Sequence, residues 1–112
     1  MVTPEHAPLG VLEEQVIVAV LRTGSEPFGM SVRRELERVT GRSVAIGAVY
    51  ATLDRLEAKG LLSSYRATGV GPSRRAFAIT AAGARALTET QAMRDRLWQG
   101  VDLSRLAALA RA

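Results

Sequence analysis

Apolar residues recur at helical spacing through the first half of the chain and alternate at strand spacing only later. Leu9, Leu12, Val16 and Val20 fall on one face of a helix predicted over Leu9–Thr23. Val11, Val18 and Leu21 place apolar groups on its opposite face, and a helix apolar on two sides is buried on two sides. In a domain this small, the second side predicts a partner subunit. Gly24–Phe28 punctuates a turn. A second helix is predicted over Gly29–Thr40, with Val32, Leu36 and Val39 inward and Gly41 ending it. A third is predicted over Ile46–Lys59, with Ile46, Val49, Leu53 and Leu56 inward and Gly60 as the stop.

The rhythm then changes. Leu61–Thr68 and Arg74–Ile79 read as strands around a loop of Gly69, Gly71 and Pro72, with Arg75, Phe77 and Ile79 on one face of the second. Thr80 caps a long helix from Ala81 to about Gln99. Gly100 interrupts it, and Asp102 caps a last short helix bearing Leu103, Leu106 and Leu109. The expected fold class is mainly α (α+β): a winged helix-turn-helix with a two-stranded wing and a C-terminal dimerisation helix. The expected organisation is a flexible arm over 1–8, the winged domain over 9–80, and a dimerisation helix with a short tail over 81–112.

Composition narrows the function. A chain of 112 residues, 47% hydrophobic, supports one modest core. There is no cysteine, so disulfides, thiolate nucleophiles and thiolate metal sites are excluded. The longest apolar run, Val16–Leu21, is too short to span a bilayer. Met1–Pro8 lacks the basic start and apolar stretch of a signal peptide, so a cytoplasmic protein with no membrane partner is expected. The net charge is +4, the isoelectric point about 10.6, and Lys59 is the only lysine. Arginine forks suit phosphate oxygens and guanine edges, which raises the expectation of nucleic acid.

Catalysis has little to stand on. His6 is the only histidine and falls in the arm, and no cluster has metal-ligand spacing. Gly69-Val70-Gly71-Pro72 lacks the Gly-Lys-Ser/Thr ending of a phosphate loop. No catalytic residue, metal or cofactor is expected. Glu13-Glu14 reads as solvated surface.

A recognition helix needs small residues toward the groove floor and donors at its edges. The third helix offers Gly47, Ala48 and Ala51, with Tyr50 at the border between core and surface and the polar Thr52 and Arg55 outward or nearly so. The hairpin adds Arg66, Arg74 and Arg75, placed to reach phosphates or a minor groove. The expected DNA-binding residues are Gly47, Tyr50, Ala51, Thr52, Arg55, Arg66, Arg74 and Arg75. Each also has a plainer explanation. The small residues would pack against a helix, Tyr50 would be half-buried core, Arg55 would pair with Asp54 or Glu57, and Arg74 and Arg75 would solubilise a strand end. Arg33, Arg34 and Arg38 alternate with Glu35 and Glu37 and read as a solvated face.

Residues 50–61 read Tyr-Ala-Thr-Leu-Asp-Arg-Leu-Glu-Ala-Lys-Gly-Leu, a run that resembles the PadR family of transcriptional regulators. Leu9-Gly10 with Glu13, Phe28-Gly29, Gly47-Ala48-Val49-Tyr50, Gly71-Pro72-Ser73-Arg74-Arg75 with Phe77, Ile79 and Thr80, and Thr80 with Gly83 and Leu87 keep the family's order. The resemblance covers roughly residues 9–99 and fits the family's shorter class. It implies a homodimer on double-stranded DNA, usually a repressor relieved by an effector, with the C-terminal helix of one subunit on the first helix of the other. The dimer interface expected on this basis is Val11, Val18, Leu21, Leu87, Gln91 and Trp98. In one drug-sensing branch a tryptophan on the last helix stacks planar compounds. Trp98 is therefore either a ligand contact for a small-molecule effector or an aromatic anchor between subunits.

The sequence departs from the family at Ala45, Ile46, Ala48, Ala51 and Phe77, where relatives often carry Ser, Pro, Thr, Pro and Tyr. Hydroxyl contacts at those positions do not carry over. The alternative function is a winged-helix module that binds another protein and no DNA, for which the modest charge and interleaved glutamates leave room.

Overall fold

The structure is a computed structural model that describes residues 8–25, 27–67 and 74–112. The described elements are α1 (Val11–Arg22), α2 (Gly29–Thr40), α3 (Ile46–Ala58), β1 (Leu62–Ala67), β2 (Arg74–Ile79), α4 (Ala81–Trp98) and α5 (Leu103–Arg111). The order is the expected one. The expected arm and the glycine loop of the wing lie outside the described residues, the arm apart from Pro8.

Local chemistry sets the boundaries. α1 starts two residues later than the apolar pattern suggests, because the Glu13 carboxylate accepts the Gly10 N–H at 2.9 Å and closes the first turn there. Leu9 lies outside the helix, its N–H donating to Thr90 Oγ1 of α4 at 3.1 Å. α3 ends in a Schellman motif: Leu61 N–H reaches Leu56 O at 3.0 Å and Gly60 N–H reaches Glu57 O at 2.9 Å. That geometry needs a left-handed residue, and Gly60 supplies it with φ +76°. Thr80 caps α4 by accepting Gly83 N–H at 3.0 Å, and Asp102 caps α5 by accepting Arg105 N–H at 3.1 Å.

Helices α1, α2 and α3 pack around a core of Val16, Ile17, Val20, Val32, Leu36, Val49, Leu53 and Leu56. The antiparallel hairpin closes one side with Leu62 and Phe77, in the register Leu62↔Ile79 to Ala67↔Arg74. Phe28 bridges Ala76, so the turn before α2 covers part of the outer edge of β2. No described helix is long and apolar enough to cross a membrane.

Two sequence expectations, Val39 and the Glu13-Glu14 pair, need correction. Val39, expected inward, is 52% exposed. It continues the Val32–Leu36 stripe, but the last turn of α2 runs past the core and leaves it on a groove with Val11, Val18 and Leu36. Glu13, expected as solvated surface, is buried among the Gly10 amide, Lys59 and Arg55. Glu14 is held by Arg94 of α4. Leu87 is half-buried beside the protomer's own core, with the rest of its side chain open to the outside.

Candidate nucleic-acid interface

Helical geometry sorts the side chains of α3. Val49, Leu53 and Leu56 are fully buried and anchor the helix. Gly47, Ala51, Asp54 and Ala58 are exposed along the middle of the opposite face, with Tyr50 and Arg55 exposed on its flanks. A Cβ added at Gly47 would meet nothing within 4 Å, so the N-terminal end of this face is smooth and open. A face of this kind lies flat against a groove floor and lets a duplex approach closely.

Thr52, expected outward, is 1% exposed. Its hydroxyl donates to Ala48 O at 2.8 Å, which satisfies it inside the domain. The signal was in the spacing, because Thr52 lies three residues after Val49 and four before Leu56. Asp54 was not among the expected residues, yet it stands exposed in the middle of the presented face.

The expected arginines divide into two kinds. Arg75 points back at α3. Its guanidinium donates to Asp54 Oδ1 at 2.7 Å, contacts Glu57 and stacks 4.7 Å above the Phe77 ring. The Ser64 hydroxyl and then Arg75 hold the Glu57 carboxyl below its ordinary range, and Asp54 raises Arg75 further. Arg75 therefore ties the wing to α3. Arg66 faces Arg75 across the hairpin, and like charges in register repel. The two carboxylates of α3 compensate Arg75 and leave Arg66 exposed. Arg74 is also exposed, its guanidinium 5.3 Å above the Phe28 ring.

Arg55 is held neither by Asp54 nor by Glu57. Its Nε lies 3.4 Å from Glu13 Oε2 and its Nη2 3.4 Å from Thr52 Oγ1, long contacts that leave its side chain 51% exposed. Lys59 takes the same Glu13 oxygen at 2.8 Å. Burial pushes the Glu13 carboxyl up, but Lys59, the Gly10 amide and Arg55 outweigh it and hold it below the ordinary value. The start of α1 is thus tied by charge to the far end of α3.

The helices behind this surface leave apolar groups uncovered. Val11, Val18 and Leu21 of α1 are exposed, as are Gln91, Leu97 and Trp98 of α4. α5 has no buried residue, although Leu103, Leu106 and Leu109 share one side. Trp98 is 53% exposed. Among the described residues, no group of three or more His, Cys, Asp or Glu could hold a metal ion.

Comparison with known proteins places this geometry. The Transcriptional regulator PadR-like family matches residues 17–89. Transcriptional regulator Rv3488 of Mycobacterium tuberculosis is 41% identical over 73 residues, which are 65% of this chain and 67% of that protein. A PadR-like transcription factor from Bacteroides fragilis is similar in structure, with a TM-score of 0.67 and 26% identity over 79% of this chain and 84% of that one. A PadR-like transcriptional regulator from Bacillus cereus superimposes with a TM-score of 0.62 and 25% identity over 82% of this chain and 95% of that one.

Proposed function

The chain belongs to the PadR-like family of transcriptional regulators, and on that premise we propose that it is a homodimeric repressor that binds a near-palindromic DNA operator. The observation that carries this reading is the exposed face of α3. Gly47, Ala48 and Ala51 leave it smooth, Arg55 stands on its flank, and the wing beside it holds Arg66 and Arg74 clear of any carboxylate among the described residues.

Each part has a physical role. α3 enters the major groove, where its small residues allow close approach and Arg55 swings from its long contacts toward a base edge. Arg66 and Arg74 meet backbone phosphates and fix the position of the domain on the duplex. Arg75 holds the wing at a set angle to α3. Asp54, already bound to Arg75, adds negative potential at the groove face, which weakens indiscriminate binding and favours sites with a cytosine amino group to donate to it.

Dimerisation follows from the uncovered apolar groups. Val11, Val18 and Leu21 of α1 in one subunit meet Trp98 of α4 from the other, with Gln91 at the edge, and the two-fold axis repeats the contact. A symmetric dimer reads two half-sites separated by about one helical turn (~10 bp) or a multiple of it. Repression follows when such an operator overlaps a promoter.

Selection of bound duplexes from a random pool at two salt concentrations tests the proposal. The expected result is an enriched inverted repeat, bound more weakly at high salt. Binding without enrichment, or no binding, would contradict it and favour a module that recognises another protein.

A further inference from the structure

α2 carries a charge asymmetry that the roles above leave unused. Its charged residues are Arg33, Arg34, Glu35, Glu37 and Arg38. Glu35 is held by Arg38 at 2.8 Å and by Arg22 of α1 at 2.9 Å, and these two, Arg38 first, bring its carboxyl down to about 2. Glu37 accepts the Val44 N–H at 2.8 Å and lies 3.6 Å from Arg33, whose Nε donates to Val44 O at 2.8 Å. Both carboxylates of the helix are taken. Arg34 is exposed and has no carboxylate partner among the described residues.

Arg34 does not stand on open surface. It lines a cleft of about 540 Å³ with Phe28, Met30, Ser31, Tyr50 and the two arginines at the loop end of the hairpin, Arg74 and Arg75. Among the described residues, no carboxylate lines this cleft. Arg75 is occupied by Asp54 and Glu57, so Arg34 and Arg74 are the guanidiniums free to take a ligand. Two like charges gathered in one cleft raise the energy of the empty protein, and an anion between them reverses the sign.

Tyr50 completes the donor set. Its ring lies against the Cα of Gly29: a Cβ there would stand 2.4 Å from ring carbons and 2.7 Å from the hydroxyl oxygen. Glycine at 29 thus lets the ring lean from α3 onto α2. The phenol hydroxyl therefore lies beside α2 at Gly29.

We propose that this cleft clamps one phosphodiester of the DNA backbone, with Arg34 and Arg74 forking onto its oxygens and the Tyr50 hydroxyl donating between them. The proposal rests on the DNA reading above and deepens it. It adds Arg34, on a helix otherwise neutralised by its own ion pairs, and it makes Tyr50 a backbone contact and not a base reader. The cleft lies where α2, Tyr50 of α3 and the start of β2 meet, and the clamp sets against it the sugar-phosphate strand that borders the groove taken by α3. Forked donors match the two free oxygens of a phosphodiester, and such charge-assisted bonds are stronger than neutral ones.

The test measures affinity for a duplex of arbitrary sequence by fluorescence anisotropy at 50 and 200 mM salt. Wild type, Arg34→Gln, Arg34→Lys and Arg38→Gln are compared after thermal melting shows all four folded. Arg34→Gln is expected to bind more weakly at the lower salt. Its loss of affinity between the two salts should be smaller than the wild-type loss by about 3.5-fold, the effect of one phosphate contact at a slope of about 0.9. Arg34→Lys keeps the charge and should keep the wild-type salt loss. Arg38→Gln removes a paired arginine and should also follow wild type. A salt loss in Arg34→Gln equal to that of wild type would overturn the clamp and leave DNA binding standing. Wild-type protein without salt-sensitive duplex binding would overturn the DNA reading, and the clamp with it.

Discussion

Gly83→Ala and Gly47→Ala are the same chemical change in two helices, and the structure assigns them opposite signs. A Cβ at Gly83 would lie 2.0 Å from the Leu61 carbonyl oxygen, 3.0 Å from its carbonyl carbon and 2.9 Å from Ile79 Cγ1. Ordinary carbon–oxygen contacts begin near 3.3 Å, so α4 must retreat by roughly 1.3 Å. The nearest atom is backbone and cannot rotate aside. The same carbonyl accepts Thr80 N–H at 3.2 Å, and Thr80 Oγ1 donates to Gly60 O at 2.7 Å, so the retreat strains the stitching between α4 and the α3–β1 turn. Overpacking costs about 1–3 kcal/mol and a weakened hydrogen bond about 1 kcal/mol, against a helix-propensity gain of up to about 1 kcal/mol. The net expectation is a loss of about 1–3 kcal/mol, or a melting temperature lower by about 5–15 °C. Gly47 faces open space, so alanine there should stabilise the fold by about 0.5–1 kcal/mol while roughening the groove face. Urea unfolding followed by circular dichroism, at one protein concentration for all variants, measures both. A Gly83→Ala protein as stable as wild type would refute the close approach of α4 to Leu61.

Arg74→Ala is expected to weaken duplex binding with little change in stability, whereas Arg75→Ala should release the wing from Asp54 and Glu57 and lower the melting temperature as well; equal melting temperatures for the two would contradict the pinning role. Glu13 is held below its ordinary carboxyl value, so its contribution to stability is fully present above about pH 4.5 and is lost as pH falls through the lowered folded value. Glu13→Gln should therefore lower stability near neutral pH by about 1–2 kcal/mol and flatten its decline in acid, and an unchanged acid limb in urea titrations would count against the Glu13 cluster. Val18→Glu should leave the protein monomeric in sedimentation at concentrations where wild type is a dimer; a wild type that sediments as a monomer would remove the dimer itself.

Much of the fold was legible because it is written in local chemistry. The apolar period of α2 and α3, the left-handed glycines after them, the hydroxyl and carboxylate caps at Thr80 and Asp102, and the switch to alternation at the hairpin all act over a few residues. Gly29–Thr40 and Arg74–Ile79 match their predicted limits for that reason. The motifs from Leu9-Gly10 to Leu87 identified the family. Of the residues expected on the DNA, Gly47, Tyr50, Ala51, Arg55, Arg66 and Arg74 are each exposed on α3 or the hairpin, as their polar or small side chains at non-core spacing suggest.

What each charge does was decided only by tertiary structure. Sequence shows that Arg74 and Arg75 are neighbours, but a strand turns successive side chains to opposite faces. One therefore stands over Phe28 while the other meets Asp54 and Glu57, carried to it by a different element. Glu13 and Glu14 look alike along the chain. Packing of α1 against α3 and α4 gives the first Lys59 and Arg55 and the second Arg94. Arg33, Arg34 and Arg38 read as one solvated stripe, and the fold neutralises two and leaves the third in a cleft. Glycine at 29 and 83 cannot be explained from its own segment, because the atoms that exclude a side chain there belong to Tyr50 and Leu61. Composition and short-range pattern set the helices, the hairpin and the surplus of arginine. Long-range packing sets which arginines remain free, because an ion pair or a steric exclusion depends on distance in space and not along the chain.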